Sequence, residues 1–244
     1  MALYVYTKKV SSRPRFIEPF PKKIPKKYFS FVLSLMGLIL IGNAIVPILT
    51  YQLRYATKFG ENILSPLVYD KSEVLGTIQA MGEEEYRDYT LISSWFDEPV
   101  GLENGSYRVD SYGLSIPDLD IVRANVRFET EDLKRSLVHY SETALPGQLG
   151  NVVIFGHSVL PQFFNPENYL TIFSTLYRLQ EGNEIWLHFD NVDYRYLVED
   201  LFEVPASDLS VLEQRYDMRM LTLITCSPPG TYLRRLVVRA RLID

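Results

Sequence analysis

The sequence predicts a mainly β domain, either a barrel or a sandwich, behind a single apolar helix. Many short apolar or alternating runs are separated by turn residues, which is typical of all-β domains. Strands and helices do not alternate as a parallel α/β sheet requires. One stretch near the N-terminus, residues 29–49, carries no charge. A chain of 244 residues is long enough for one sizeable core with appendages.

The uncharged stretch predicts a membrane anchor. As a helix, its 21 residues span about 31 Å, close to the roughly 30 Å hydrocarbon thickness of a bilayer. Four of the seven residues before it, 22–28, are lysines, which predicts a cytoplasmic N-terminus. The alternative is a cleaved secretory signal, but the run is longer than a signal core and no small-x-small site follows. We interpret residues 29–50 as a transmembrane signal anchor, with the body of the protein outside the cytoplasm.

Charge divides the chain into a basic head and an acidic body. Residues 1–28 hold eight Lys and Arg and one acid, a net +7, so the rest of a chain with net charge −5 carries −12. We expect a basic cytoplasmic tail there and no nucleic-acid binding by the acidic body. Residues 51–106 are mixed in character and are interpreted as an extracytoplasmic stalk or cover. The domain proper is predicted over residues 107–244.

Turn residues divide this domain into strands. Strands are predicted at 109–116, 119–126, 151–156, 184–190, 194–204, 220–225 and 235–242. Capping and charge patterns predict short helices at 130–137 and 168–178. Four acids of the later strands and loops are expected to be solvated surface: Glu199, Asp200, Glu203 and Asp208.

The only cysteine, Cys226, lies at the end of a predicted strand, before a Pro-Pro-Gly turn. Arg234 and Arg235 begin the returning strand. Outside the cytoplasm most cysteines are paired, and a single cysteine has no partner within its own chain. One alternative is a small buried hydrophobe. The strand-end position and the arginines favour a reactive thiol.

Among the three histidines, His157 best matches the cysteine. It follows a buried strand and a glycine, in the same strand-end setting as Cys226. His188 is expected to be a solvated or satisfied strand residue, and His139 to complement the dipole at the end of helix 130–137. The spacings predict no metal ligands, and no phosphate-binding loop or other cofactor motif is present.

Four segments together resemble the sortases, the membrane-anchored cysteine transpeptidases of bacterial surfaces. TLITC at 222–226 resembles the family's TLxTC motif, and RLVVRA at 235–240 the strand that carries its arginine. NVVIFGHS at 151–158 resembles the segment with its histidine, and LSIPDLDI at 114–121 is similar to its entry strands. The resemblance covers about residues 107–244 and implies a closed β-barrel of about eight strands with short helices.

The resemblance implies a role for each residue. Cys226 would be the nucleophile, His157 the general acid/base, and Arg235, which stands directly before LVV, the group that orients substrate or stabilises the oxyanion. The implied substrate is an LPxTG-type sorting signal at the C-terminus of a surface protein, cleaved after threonine. The implied acceptor is a primary amine of a cell-wall precursor or a pilin. The remaining alternatives are a membrane-tethered cysteine protease that uses water, and a non-catalytic surface assembly module.

Substrate contacts are expected from Thr225 and from the connection before the cysteine strand. Ser207 or Asp208 is predicted to cap a helical turn there that ends near Arg215. The turn would present three apolar side chains to the signal: Leu209, Val211 and Leu212. Upstream, residues 94–99 loosely resemble the aromatic and acidic lid of pilin sortases. The alternative is that these residues pack the stalk onto the barrel.

Overall fold

The computed structural model describes residues 26–51, 53–54, 88–95, 109–128 and 130–243. Helix α1, Lys26–Tyr51, contains the predicted anchor, and its portion Phe29–Tyr51 is long and apolar enough to cross a membrane. Most of the predicted tail (1–25) and of the stalk (52, 55–87 and 96–106) lies outside the described residues. The chain divides into two compact units, residues 1–42 and 43–244, so the last turns of α1 belong to the second unit.

The second unit is an eight-stranded closed β-barrel, which confirms the predicted fold class. In order around the barrel the strands are β1, β2, β3, β4, β7, β8, β6 and β5. Pairs β2–β3 and β4–β7 are parallel and the others are antiparallel. Their bounds are Ser111–Ile116 (β1), Ile121–Arg127 (β2), Leu137–His139 (β3), Gly150–Phe155 (β4), Glu184–Phe189 (β5), Val192–Pro205 (β6), Arg219–Ser227 (β7) and Arg234–Ile243 (β8).

Short 3-10 turns supply the remaining regular structure of the described chain. They are Ile92–Ser94, Pro117–Leu119, Pro161–Phe163, Leu176–Arg178 and Leu209–Leu212. Asp208 caps the last of these, accepting a hydrogen bond from Ser210 N at 3.0 Å, so the predicted capped turn is confirmed, although it ends at Leu212.

Two apolar clusters lie on opposite faces of strands β3, β4, β7 and β8. One draws residues from all eight strands, for example Leu114, Leu221 and Leu236, and fills the barrel interior. Because side chains alternate along a strand, the neighbours of these residues point outward. The second cluster, which includes Phe155, Ile224 and Cys226, therefore lies on the outer face; we call it the outer cluster.

Three expectations about helices were wrong. Residues 130–137 form turns that lead into β3, which pairs in parallel with β2. His139 consequently lies in a strand, fully buried, with Tyr112 Oη 2.8 Å from its Nδ1, and no helix dipole is present beside it. Residues 168–178 form successive turns and one 3-10 turn. Every side chain from Thr171 to Tyr177 is buried there, so the segment lacks the exposed face of an amphipathic helix.

Candidate active site

The ends of two parallel strands bring His157 and Cys226 to the same region. Phe155 of β4 pairs with Ile224 of β7, and Gly156 N donates to the Ile224 carbonyl at 3.1 Å. His157 and Cys226 each follow two residues after this pair. Ser158 Oγ then donates to the Cys226 carbonyl at 2.9 Å, which holds the two strand ends together. The two residues, which were expected to share a strand-end setting, therefore lie at neighbouring strand ends.

Close packing behind the histidine requires glycine at position 156. A Cβ atom there would lie 2.3 Å from the Phe173 ring and 2.7 Å from Leu137. Phe173 N also donates to the His157 carbonyl at 3.1 Å. The buried coil at 171–177 thus fixes the backbone that carries His157.

Cys226 and Arg235 face each other across the antiparallel pair β7–β8. They are register partners, and both belong to the outward-facing positions, each 1% exposed. Arg234 pairs with Ser227 and points to the opposite face, where its Nε lies 3.4 Å from Glu203 Oε2. Of the two adjacent arginines, only Arg235 therefore shares the face of the thiol.

Backbone carbonyls hold the Arg235 guanidinium in place. Its Nη1 donates to the carbonyls of Tyr232 (3.0 Å) and Arg234 (3.1 Å), and its Nη2 donates to the carbonyl of Trp95. The guanidinium carbon also lies 5.4 Å from the centre of the Trp95 ring, a cation–π contact. The Trp95 carbonyl thus occupies one of the donors of this guanidinium.

Residues 88–95, here called the covering segment, lie over this region. Trp95 is 1% exposed and packs edge-on against Phe155 at 5.7 Å. The segment is attached to the barrel by a bridge from Leu91 to Asp132 and by stacking of Tyr89 on Tyr232 at 3.9 Å. The expectation for residues 94–99 offered two alternatives, a lid or a packing element. Within the described part, Trp95 packs directly onto the outer cluster; residues 96–99 lie outside it.

Burial shifts the pKa values of the Cys226 thiol and the His157 imidazole. It raises the pKa of the Cys226 thiol to about 12, and the positive charge of Arg235 opposes this shift. Burial lowers the pKa of His157, against a hydrogen bond with the Ser158 carbonyl and the charge of Asp88. In this covered arrangement both side chains are neutral near pH 7. Since a carbonyl only accepts, His157 Nδ1 must donate to Ser158 O (3.0 Å), which leaves Nε2 as the acceptor.

The residues expected to bind substrate are divided between the two faces. Val211 belongs to the outer cluster with Cys226, and Leu209 and Leu212 pack against it. Thr225 alternates to the other face, and its hydroxyl donates to the Gly156 carbonyl at 2.8 Å. Thr225 thus joins β4 to β7 and does not share the face of the thiol.

The structure confirms the expectation for His188 and contradicts the one for Glu203. His188 is satisfied by Asp193 at 2.6 Å and Ser115 at 2.9 Å, so its interpretation as a satisfied strand residue is confirmed. Glu203 was expected to be solvated, and this was wrong: its side chain is only 9% exposed and contacts Ser227 and Arg234. A single acid within an alternating strand carries no sequence signal that distinguishes these environments.

Comparison with known proteins identifies the family. The sortase domain model matches residues 114–243, more than half of the chain. The chain belongs to the sortase family. Sortase A of Bacillus anthracis is 25% identical over 178 residues, 71% of this chain and 80% of that protein. Sortase D of Bacillus subtilis strain 168 is 21% identical over 150 residues, 62% of this chain and 67% of that protein.

A solved structure supports the fold of this sortase. Sortase C-1 of Actinomyces oris superposes with a TM-score of 0.51 at 20% identity, covering 71% of this chain and 98% of that one. At this identity the likeness shows the barrel fold alone. Since relatives named as classes A, C and D all match, the subclass stays open. Sortase-family members are cysteine transpeptidases.

Proposed function

We propose that this sortase cleaves an LPxTG-type sorting signal after threonine and transfers the new carboxyl end to a primary amine. The observation that carries the proposal is the register pairing of Cys226 with Arg235, beside the parallel strand end that carries His157. A nucleophile, an acid/base and a fixed cation are the three groups that such acyl transfer needs.

The first half-reaction would form a thioester. As Cys226 Sγ attacks the threonine carbonyl, its proton moves to Nε2 of His157, and the oxyanion is stabilised by the Arg235 guanidinium. His157 then gives that proton to the departing amine, the C–N bond breaks, and the acyl group remains on sulfur. The hydrogen bond from Nδ1 to the Ser158 carbonyl supports this role because it keeps Nε2 available for the proton.

The second half-reaction would transfer the acyl group. An incoming primary amine attacks the thioester, loses a proton to His157 Nε2, and releases the Cys226 thiolate, which is reprotonated. The acceptor proposed here is an amine of a cell-wall precursor or of a pilin. The substrates proposed are surface proteins with a C-terminal sorting signal.

Leu209 and Leu212 are proposed to contact the apolar part of the signal. Both are half-buried and pack against the outer cluster that contains Cys226. Val211, fully buried beneath them, is proposed to shape this surface. Thr225 is proposed to act indirectly, by holding β4 against β7.

The apolar helix α1 is proposed to anchor the enzyme, with the N-terminus in the cytoplasm and the barrel outside. The length and composition of Phe29–Tyr51 and the lysines before it support this topology. Labelling single-lysine tail variants with a membrane-impermeant amine reagent, in intact and in permeabilised cells, would test it. The proposed topology predicts that the tail is labelled only after permeabilisation.

The function is tested by incubating the full-length enzyme in detergent with an LPxTG-type peptide and a primary amine. We expect a ligated product in mass spectra, and its complete loss in Cys226→Ala with an unchanged circular dichroism spectrum. Release of the free acid alone, despite excess amine, would indicate a protease instead. Turnover retained in Cys226→Ala would end the assignment of the nucleophile.

A further inference from the structure

A polar cluster lies directly behind the catalytic strand pair, at the face opposite Cys226. Its centre is Glu203 of β6, which points to the same side as Ser227 of β7 and Arg234 of β8. These two partners are the immediate chain neighbours of Cys226 and Arg235. One carboxylate therefore contacts the residue next to each of two proposed catalytic groups.

Glu203 receives hydrogen bonds from two hydroxyl groups and an ion pair from Arg234. Tyr51 Oη donates to Glu203 Oε1 at 2.5 Å, and the hydroxyl of Ser227, which is fully buried, donates to the same oxygen. Arg234 binds the glutamate twice, through Nε to Oε2 at 3.4 Å and through Nη2 to the backbone carbonyl at 3.2 Å. A carboxylate with so little exposure is stable only when hydrogen bonds and a countercharge replace water.

Tyr51 connects the cluster to the apolar helix. It is the last residue of α1, its side chain is 3% exposed, and its ring packs edge-on against Tyr177 at 5.1 Å. A second contact within the same unit lies about two helical turns earlier, where Gln162 Nε2 donates to the Asn43 carbonyl at 3.2 Å. The end of α1 is thus attached to the strands that carry the proposed nucleophile.

We propose that Glu203 is a positioning residue for the transfer reaction, holding the ends of β7 and β8 through Ser227 and Arg234 so that Cys226 and Arg235 stay aligned. The inference rests on the function proposed above. Tyr51 completes the arrangement by binding the end of the anchor to the same carboxylate. Because a shift of about 1 Å in a reacting group costs about a hundredfold in rate, small movements of these strand ends reduce turnover without changing substrate affinity.

The test compares graded changes at Glu203 in full-length enzyme, with the peptide and amine assay. Glu203→Gln retains an oxygen acceptor and loses the charge pairing, and we expect kcat to fall about tenfold. Glu203→Leu removes both the acceptor and the charge, and we expect its kcat to fall about a hundredfold. KM should remain within about twofold in each, since Glu203 lies on the face away from the proposed substrate groove. Tyr51→Phe, which removes one hydrogen bond without altering a strand, should lower kcat about threefold.

Glu199→Gln is the matched control because it breaks a carboxylate–arginine pair of the same two strands away from the cluster. Glu199 Oε1 lies 2.8 Å from Arg241 Nε, and both groups are solvent-exposed. We expect its kcat to equal that of the parent. If the Glu203 variants keep the parental kcat, or lose activity through KM alone, the positioning role of Glu203 is wrong. Turnover by the parent enzyme would still support the proposed function in that case.

Two further outcomes are distinguishable. If the Glu203 variants fail to fold, Tyr51→Phe and Ser227→Ala decide the question, and unchanged kcat in both would overturn the positioning role. If the parent shows no turnover that depends on Cys226, the proposed function fails first and the inference with it.

Discussion

Truncation of Trp95 should expose the Cys226 thiol. In the covered arrangement burial raises the pKa of the Cys226 thiol to about 12, so the thiol is protonated at neutral pH. A thiol with an ordinary pKa near 8.5 is a few per cent ionised under the same conditions. The buried surroundings of Cys226, which include Trp95 of the covering segment, therefore disfavour the thiolate.

The magnitude of the effect follows from the packing of Trp95. Removal of a fully buried tryptophan side chain costs about 3–5 kcal/mol, and here this cost falls on the docking of the covering segment. Each 1.4 kcal/mol is tenfold, so even the lower value shifts the equilibrium towards the uncovered state by about a hundredfold. We expect Trp95→Ala to raise the rate of Cys226 alkylation by about that factor.

The assay is labelling with iodoacetamide followed by intact mass. Because Cys226 is the only cysteine, one added carbamidomethyl group reports this site alone. The control is Trp186→Ala, which removes the only other tryptophan, a β5 residue outside the outer cluster. Equal labelling rates in parent and Trp95→Ala would show that the covering segment does not bury the thiol, and would refute this reasoning.

Three further results are expected. Arg235→Ala should lower kcat about a hundredfold, the scale of one lost oxyanion donor, and Arg234→Ala clearly less; the reverse order in steady-state kinetics would contradict the assignment by register. Burial lowers the pKa of His139 to about 3, so the unfolded state binds a proton that the folded state does not as pH falls below about 6.5. The free energy of unfolding should then fall by about 2 kcal/mol between pH 6.5 and 5 in urea titrations, and a parental slope in His139→Gln would exclude this cause. Exchange of residues 205–215 for the loop of another sortase should change which signal peptides are cut while Cys226 labelling is preserved, whereas an unchanged preference across a peptide panel would place recognition elsewhere.

Local patterns were sufficient for most strands and for the strand-end site. The alternating hairpin at 184–204 and the apolar run at 220–225 predicted β5, β6 and β7 within about two residues, because period and turn residues are local properties. Cys226 and His157 also stood out locally, since Cys226 lies near the end of a buried strand and His157 just after one.

Long-range pairing explains what the sequence could not provide. The caps and charges at 130–137 favour a helix, but β3 gains its hydrogen bonds from β2 and β4, which lie beyond the connecting segments on either side of it. The environment of Glu203 likewise depends on Tyr51, 152 residues away. Neither contact leaves a periodic pattern in one chain, and tertiary structure overrides local propensity in both places.

The covering segment links access to reactivity. Trp95 occupies the outer face beside Cys226, and its carbonyl binds the guanidinium that the proposed mechanism assigns to the oxyanion. Departure of the segment would open the face to a peptide, release Arg235 and return water to the thiol, which lowers its pKa towards the ordinary value. Departure of the covering segment would therefore both expose the outer face to a peptide and favour the Cys226 thiolate. A substrate that binds only the uncovered state must also supply the free energy of uncovering, so its apparent affinity is weaker than its contacts alone would give.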